Sequence, residues 1–430
     1  MLDIKFIREN KDLVKDAVKK KFMDVDIDRL LQLDEKRRGL IAESETIKAE
    51  QNKLSKELAR GKDEKLLEKS KEMKEKFKDM DEELKGIEQE YRDLMLRVPN
   101  IPSADTPIGA DDSFNKEIAR WGKISEFDFP IKDHIQLGKD LDIIDTETGV
   151  KVSGFRGYYL KNQGAILHWA VLWYCWQKML SEGFTAVVGP TLVKDFVLSG
   201  SGQFPFGGEE VYQIGNSGKL ASGEEISEPL YLAGTSEPTL LAYFSDKILK
   251  EDELPAKVCG FSQCFRSEAG SYGKDTRGLY RLHEFTKVEQ VVFCKNDLAE
   301  SDKWLEEMRK ISESVLQDLK LPYRVVQNAS GDMGAGKYKM YDIETWMPSR
   351  GKYGETHSDS NLTDWQARRL NIKYKDASGE IKFVHTLNNT VIASPRILIA
   401  ILENYQQKDG SVLVPKALQK YTGFKKISKK

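Results

Sequence analysis

The chain has 430 residues, 67 Lys and Arg against 69 Asp and Glu, and a net charge of −2. This length suggests roughly two to four domains, and the charge balance excludes a chain that is basic throughout. A neutral total can still hide segments of opposite sign.

Met1 to Lys21 alternates charge with short apolar steps and lacks the apolar run of about 7–15 residues that a secretory signal needs. No window reaches the about 18 uncharged apolar residues of a membrane span; Ala165 to Met179 comes nearest and contains His168 and Gln177. These features predict a soluble, cytoplasmic protein without a membrane partner. Cys175, Cys259, Cys264 and Cys294 show neither CxxC spacing nor the density of a secreted scaffold. They predict reduced structural thiols and no structural zinc.

Between Asp28 and Arg97 stand 18 basic and 19 acidic residues, about 53% of the segment and far above the rest of the chain. Leu33, Leu40, Ile47 and Leu54 recur every seven residues, Gly61 interrupts, and Leu66, Met73, Met80, Ile87 and Leu94 resume the period. Phe77, Leu84, Tyr91 and Val98 form a second row offset by four. The two rows make an a/d seam, and the break at Arg60-Gly61-Lys62-Asp63 folds the second helix back on the first. An antiparallel helical hairpin of roughly 50 Å follows at 1.5 Å per residue. It reads either as a dimerising coiled coil or as a lever reaching a distant partner. From Thr46 to Lys78 there are 11 Lys and Arg against seven acids, so the distal part is net positive. A basic tip suits contact with a nucleic-acid backbone, whereas a solvated face is the plainer reading.

Pro99 ends the arm, and the Pro-, Gly- and Ser-rich stretch through Gly109 predicts a domain boundary. Residues 1–103 are expected to form the helical domain, with the arm at about 28–97, and 104–430 a second domain. There Ala165 to Glu182, Ser301 to Leu319 and Ile397 to Gln406 read as helices. Lys257 to Phe265, Val288 to Cys294 and Tyr323 to Gln327 read as strands. Strands in succession, without regular βαβ alternation, favour an antiparallel-centred α/β or α+β domain. Lys425-Lys426 and Lys429-Lys430 form a short basic tail expected to be disordered.

Two phosphate-loop signals fail. Gly331 to Lys337 fits GxxxxGK, but Tyr338 stands where the metal-binding Ser or Thr belongs and no helix start follows. Gly200-Ser201-Gly202 lacks the third glycine of a dinucleotide fingerprint and reads as a flexible loop. The densest constellation is Phe265-Arg266-Ser267-Glu268, a Gly-rich loop from Ala269 to Gly278, then Leu279 to Glu289. An Arg at one strand end and a return strand with Phe285 and Glu289 would line one face with cation, aromatic ring and carboxylate. That face suits an adenine on Phe285, a phosphate on Arg266 and an ammonium on Glu289, against the alternative of ordinary cross-strand ion pairs.

At these residues the sequence resembles the seryl-tRNA synthetases, class II aminoacyl-tRNA synthetases, over essentially its full length. Thr235-Ser236-Glu237, the arginine string (motif 2), Tyr353-Gly354-Glu355, Thr363 to Ile372, and Thr386-Leu387-Asn388 with Arg396 and Ala400 to Gln406 (motif 3) carry the likeness. Motif 1, the dimer-interface helix and strand, falls near Gln177 to Leu192 with Pro190. The resemblance implies an α+β chain: a coiled-coil arm, then a catalytic domain on an antiparallel sheet flanked by helices. It also implies a homodimer acting as an ATP-dependent serine–tRNA ligase.

In that reading Arg266 holds the serine carboxylate and the α-phosphate in line. Glu355 and Ser358 hold Mg²⁺ on the ATP phosphates through hard oxygen donors. Glu268 reads the adenine amino group, Phe285 stacks on the ring, and Arg396 covers the other face, its plainer alternative being a helix-start cap or ion pair. Ser267, Leu282, His283, Glu284, Thr356 and His357 complete the ATP site, with His283 structural and His357 an incidental polar neighbour. Serine is read by Thr235, Ser236, Glu237, Glu289, Asn388 and Thr390, because a pocket that demands a hydroxyl leaves polar groups unpaired with alanine. The arm would grip the long variable arm of tRNA(Ser), and of tRNA(Sec) where present, by shape and backbone. Lys53, Lys56, Arg60, Lys62 and Lys74 are its candidate contacts, and Lys274 and Arg277 in the motif 2 loop meet the acceptor end.

The chain departs from the family pattern where many bacterial members read Asn-Gly-Ser-Gly: here stand Asn388-Asn389-Thr390-Val391, with Pro395 before Arg396. Thr390 keeps the hydroxyl, but the backbone loses glycine freedom. Glu355 to Ser360 also departs from a serine-rich run. Rival readings are an enzyme for threonine or alanine, and a tRNA-binding or carrier-loading paralogue that has lost charging.

Overall fold

The computed structural model describes residues 1–59, 63–216, 218–269 and 277–429. Arg60, Gly61, Lys62, Lys274 and Lys430, all named above, lie outside the described residues. The chain divides into two compact units, Met1–Pro99 and Asn100–Lys430.

In the first unit, α1 (Ile4–Glu9) and α2 (Lys11–Lys20) precede the two long helices α3 (Ile27–Leu58) and α4 (Glu64–Arg97). Asp26 and Asp63 start these helices, their carboxylates accepting from the Arg29 and Lys65 amides. The seam residues Leu33, Ile47, Leu54, Met80 and Ile87 are buried, and the intervening charges lie at the surface except Asp34, which is buried with Arg38 at 3.1 Å and Arg8 at 3.5 Å. Ion pairs record the direction of pairing: Arg29–Glu90 at 2.7 Å, Lys36–Glu83 at 2.5 Å and Lys76–Glu43 at 2.8 Å. Each step of seven along α3 is met by a step of seven back along α4, as an antiparallel coiled coil requires. At 32 residues, α3 spans about 48 Å.

The second unit is built on an eight-stranded sheet. Its strands are β1 (Lys116–Trp121), β2 (Thr185–Val187), β3 (Ala256–Phe265), β4 (Glu284–Cys294), β5 (Tyr323–Gln327), β6 (Lys339–Met347), β7 (Lys352–Asn361) and β8 (His385–Ser394). The spatial order is β1-β5-β6-β7-β8-β4-β3-β2. Every pair is antiparallel except β2 with β3. The architecture is the expected α+β one. One core cluster joins the sheet to α5 (Asn162–Ser181), α6 (Leu298–Asp318) and α7 (Arg396–Asn404), through residues such as Val171, Val292, Leu316 and Ile401. All four cysteines are buried and free; burial pushes the Cys259 thiol up to about 12.

Two bulges interrupt the sheet's alternation. Glu289 pairs with Thr390 but Val288 with Ile392, so Val391 is an extra residue in β8. Glu344 pairs with Glu355 but Ile343 with His357, so Thr356 is an extra residue in β7.

Gly200-Ser201-Gly202 is not the flexible loop expected. Gly200 and Ser201 end a helix, Asp195–Ser201, and Gly202 caps it at φ 92°, its amide donating to the Leu198 carbonyl. A Cβ on Gly200 would lie 2.2 Å from Leu370 Cδ2, so packing demands glycine there.

His168 on α5 is buried with Nδ1 2.7 Å from Ser394 Oγ, and burial lowers its pKa from 6.5 to about 4. Between those values the unfolded chain takes up a proton that the folded chain refuses, so this residue's contribution to stability is lost as pH falls. The unfolding free-energy advantage of wild type over H168Q is therefore expected to shrink by up to roughly 3 kcal/mol from pH 7 to pH 4. Denaturant titrations of both proteins at each pH check this.

Candidate active site

β4 and β8 supply the floor of one cavity of about 310 Å³. Residues two apart on a strand share a face, so Phe285, Lys287 and Glu289 all look into it. The Val391 bulge sets Thr390 directly opposite Glu289 and still returns Ala393, opposite Lys287, to the same face. On the other neighbouring strand, Gly260 stands opposite Glu289; a Cβ there would come within 2.7 Å of Ser236 Oγ. The glycine thus lets the Thr235-Ser236-Glu237 turn close over the floor.

At this end the polar groups are interlocked. Lys287 Nζ lies 2.5 Å from Glu289 Oε2, and Thr390 Oγ1 donates to the same oxygen at 3.3 Å. Glu237 Oε1 accepts from Gln366 Nε2 at 2.7 Å and from Asn388 Nδ2 at 2.9 Å. Burial holds the Glu237 carboxyl above its ordinary range; the Gln366 hydrogen bond opposes this and the nearby Glu289 charge adds to it.

At the other end Arg266 donates from Nε to the Gly234 carbonyl at 3.3 Å, with its guanidinium 5.2 Å from the Phe285 ring centre. Glu268 sits in the left-handed region, φ 55°, and its Oε2 accepts from Arg281 at 3.1 Å with Arg156 at 3.6 Å. Arg396, the first residue of α7, lies over the Tyr280 ring at 4.3 Å. It also donates to the Glu355 carbonyl at 2.7 Å and stands 3.5 Å from the Glu355 carboxylate, so the ion-pair alternative for this residue has a partner.

Simple alternation would put Glu355 and Ser358 on opposite faces of β7. The extra Thr356 puts both on the cavity face, with Asp342 of β6 opposite Ser358. Asp342 is buried, its Oδ1 has no hydrogen-bond partner, and burial together with the Glu355 charge raises its pKa. Two hard oxygen side chains, with an unpaired carboxylate oxygen on the residue opposite Ser358, fit a small divalent cation such as Mg²⁺.

The cavity brings together Thr235, Glu237, Arg266, Glu268, Leu282, Phe285, Glu289, Glu355, Thr356, His357, Ser358, Asn388, Thr390 and Arg396. Four expected residues lie outside its lining. Ser236 is buried behind it against Gly260; Ser267 Oγ donates to the Glu209 carbonyl at 2.5 Å; His283 Nδ1 lies 2.9 Å from the Arg266 carbonyl; and Glu284 alternates away from Phe285. His357 is buried with Nδ1 2.8 Å from Thr356 Oγ1, and burial lowers its pKa to about 4. Lys53, Lys56 and Lys74 are exposed on the arm, and Arg277 is exposed.

Sequence reasoning missed Lys287, Lys337, Tyr280 and Asp342. The period of two through Phe285 and Glu289 could have found Lys287. Lys337 belongs to the Gly331 to Lys337 segment rejected as a phosphate loop; residues 334–337 line the cavity as turns leading into β6, with no helix after them.

Residues 1–102 match the Seryl-tRNA synthetase N-terminal domain family, and 220–405 the tRNA synthetase class II core domain (G, H, P, S and T) family. The chain is 42% identical to the serine–tRNA ligase of Treponema denticola, over 99% of this chain and 100% of the other. It is 44% identical to that of Deinococcus radiodurans, over 99% of each. The crystal structure of Pyrococcus horikoshii seryl-tRNA synthetase complexed with ATP superposes with a TM-score of 0.88 at 37% identity, covering all of both chains. Likeness along the whole length, in arm and catalytic core alike, means that the chain belongs to the seryl-tRNA synthetases, ATP-dependent ligases of class II.

Proposed function

We propose that the cavity activates L-serine with ATP and passes the seryl group to the 3′ end of tRNA(Ser), and of tRNA(Sec) where present. The carrying observation is that one cavity holds a hydroxyl- and ammonium-reading end, Thr390, Glu289 and Glu237, and a phosphate- and ring-reading end, Arg266, Phe285 and Arg396.

The serine carboxylate attacks the α-phosphorus, pyrophosphate leaves with the electron pair of the broken P–O bond, and seryl-adenylate remains. A ribose hydroxyl of the tRNA then takes the acyl group and AMP leaves. Because the first nucleophile is already an anion, no protein base is required. Arg266 neutralises charge building on the α-phosphate and holds the carboxylate in line. Glu268 reads the adenine amino group, and Phe285 and Arg396 sandwich the ring. Glu355 and Ser358 are the residues to hold Mg²⁺, which supplies charge neutralisation to the triphosphate when bound.

The 1–103 region is read as the tRNA-binding part and 104–430 as the catalytic one. Lys53, Lys56 and Lys74, exposed near the distal end of α3 and α4, are candidate backbone contacts. A homodimer is supported by one face of α5: Ile166, Trp169, Trp173 and Leu180 are each at least 40% exposed at helical spacing. A cytoplasmic setting is part of the proposal, in keeping with the soluble serine–tRNA charging it assigns; no described helix is long and apolar enough to cross a membrane.

Charging of total tRNA with radiolabelled serine, beside ATP–pyrophosphate exchange with serine, threonine and alanine, tests the proposal. Serine is expected to drive exchange at least about 100-fold better than alanine and to appear on tRNA. Exchange driven by threonine or alanine instead would identify another synthetase. Exchange with serine but no charged tRNA would identify a carrier-loading paralogue.

A further inference from the structure

We propose that Lys287 is the positioning residue that sets the direction of the hydrogen bonds joining Glu289 and Thr390 at the amino-acid end of the cavity, leaving both of them as acceptors toward the ligand. The inference deepens the serine reading above and rests on it. Lys287 stands between Phe285 and Glu289 on the cavity face of β4, its side chain only 7% exposed. Its ammonium is 2.5 Å from Glu289 Oε2 and 3.5 Å from Thr390 Oγ1, and Thr390 Oγ1 is 3.3 Å from the same Glu289 oxygen.

An ammonium only donates, a carboxylate only accepts, and a hydroxyl has one proton and two lone pairs. Within this triangle the directions are forced. Lys287 donates to both partners, and Thr390 gives its single proton to Glu289. What Thr390 and Glu289 retain for a ligand is lone pairs. The triangle therefore binds a group with a proton to give, a hydroxyl or an ammonium, and leaves buried acceptors unpaired against any group without one. A hydroxyl reader without a cation beside it could turn its proton toward the ligand and accommodate an acceptor.

The same ammonium also bears on Glu237. That carboxyl is raised by burial and by the Glu289 charge, and the Gln366 hydrogen bond, Lys337 and then Lys287 oppose the rise. Without Lys287, the neutral form of one carboxyl gains ground, and a carboxyl that carries a proton donates as well as accepts. The acceptor surface would then be lost at that carboxyl.

The test uses the full chain and ATP–pyrophosphate exchange with serine, alanine and 3-fluoro-L-alanine, whose fluorine accepts weakly and cannot donate. Wild type is expected to activate 3-fluoroalanine no better than alanine. K287M is expected to raise the KM for serine at least about tenfold, leave the KM for ATP within about twofold, and narrow the serine-to-fluoroalanine ratio at least about tenfold. K287R, which keeps a cation, restores most of that ratio. Activation of 3-fluoroalanine clearly better than alanine by wild type overturns the inference without needing any variant, as does an unchanged ratio in K287M. If wild type shows no serine-dependent exchange at all, it is the underlying reading of the site that fails.

Discussion

Replacing Arg266 with alanine is expected to lower the rate of serine-dependent ATP–pyrophosphate exchange by about 10²–10³, the range lost when one preorganised donor to a developing anion is removed. The guanidinium lies at the phosphate-reading end of the cavity, with one nitrogen tied to the Gly234 carbonyl and its centre 5.2 Å from that of the Phe285 ring. Its remaining donors can address a carboxylate and a phosphate together, which a point charge cannot. R266K should therefore recover only part of the loss, since lysine restores charge but not the planar fork. Glu289→Ala should lose exchange as fully, by a different route: it removes the carboxylate on which both Lys287 and Thr390 converge. The measurement is initial-rate exchange at saturating ATP, with thermal melting to establish that the variants are folded. Exchange by R266A within about tenfold of wild type would remove this residue from the reacting centre.

Deletion of residues 28–97 is expected to leave serine-dependent exchange within about twofold of wild type while lowering aminoacylation of tRNA at least about 100-fold. The reason is a division of labour between separate structures. Every cavity residue belongs to the second unit, whereas the arm is held by its own seam and its own ladder of ion pairs. What the arm offers is reach and exposed lysines, both of which act on a large polyanion and neither on ATP or serine. Phosphate contacts release counterions, so charging by the intact protein should also weaken with salt more steeply than exchange does. Normal charging by the shortened chain would show that the arm is not the lever proposed.

The arm was legible because a heptad repeat is a local signal, and the dense charge between its apolar rows, the buried Asp34 aside, belongs at the surface. The strand that ends just before Arg266 and the one carrying Phe285 and Glu289 were legible for a similar reason, since short apolar runs mark them. Register, which decides whether named residues share a face, was not legible. Counting in twos assigns Glu355 and Ser358 to opposite faces, and only the unpaired Thr356 reverses that. Asp342 looks like an interior strand residue until pairing places it opposite Ser358. Ser267, His283 and Glu284 belong to the ATP site that the resemblance implies, yet a turn of the backbone or one step of alternation takes each out of the cavity lining. Residues 334–337 reach the cavity through packing, with Gly336 so close to Trp365 that a Cβ would lie 2.6 Å from the ring. No string of neighbouring letters encodes that approach.

Thr356 and Val391 are each one residue more than the facing pattern needs. With Thr356 removed, Glu355 and Ser358 would stand two apart and simple alternation would hold both on one face; with Val391 removed, Thr390 and Ala393 would do the same. A single residue gained in a regular stretch of either strand would instead exchange inward and outward side chains beyond it, unless a further bulge took it up. A graft of Glu355 to Ser358 into a regular strand would present both oxygens on one side only if the extra residue were left behind or a bulge formed there.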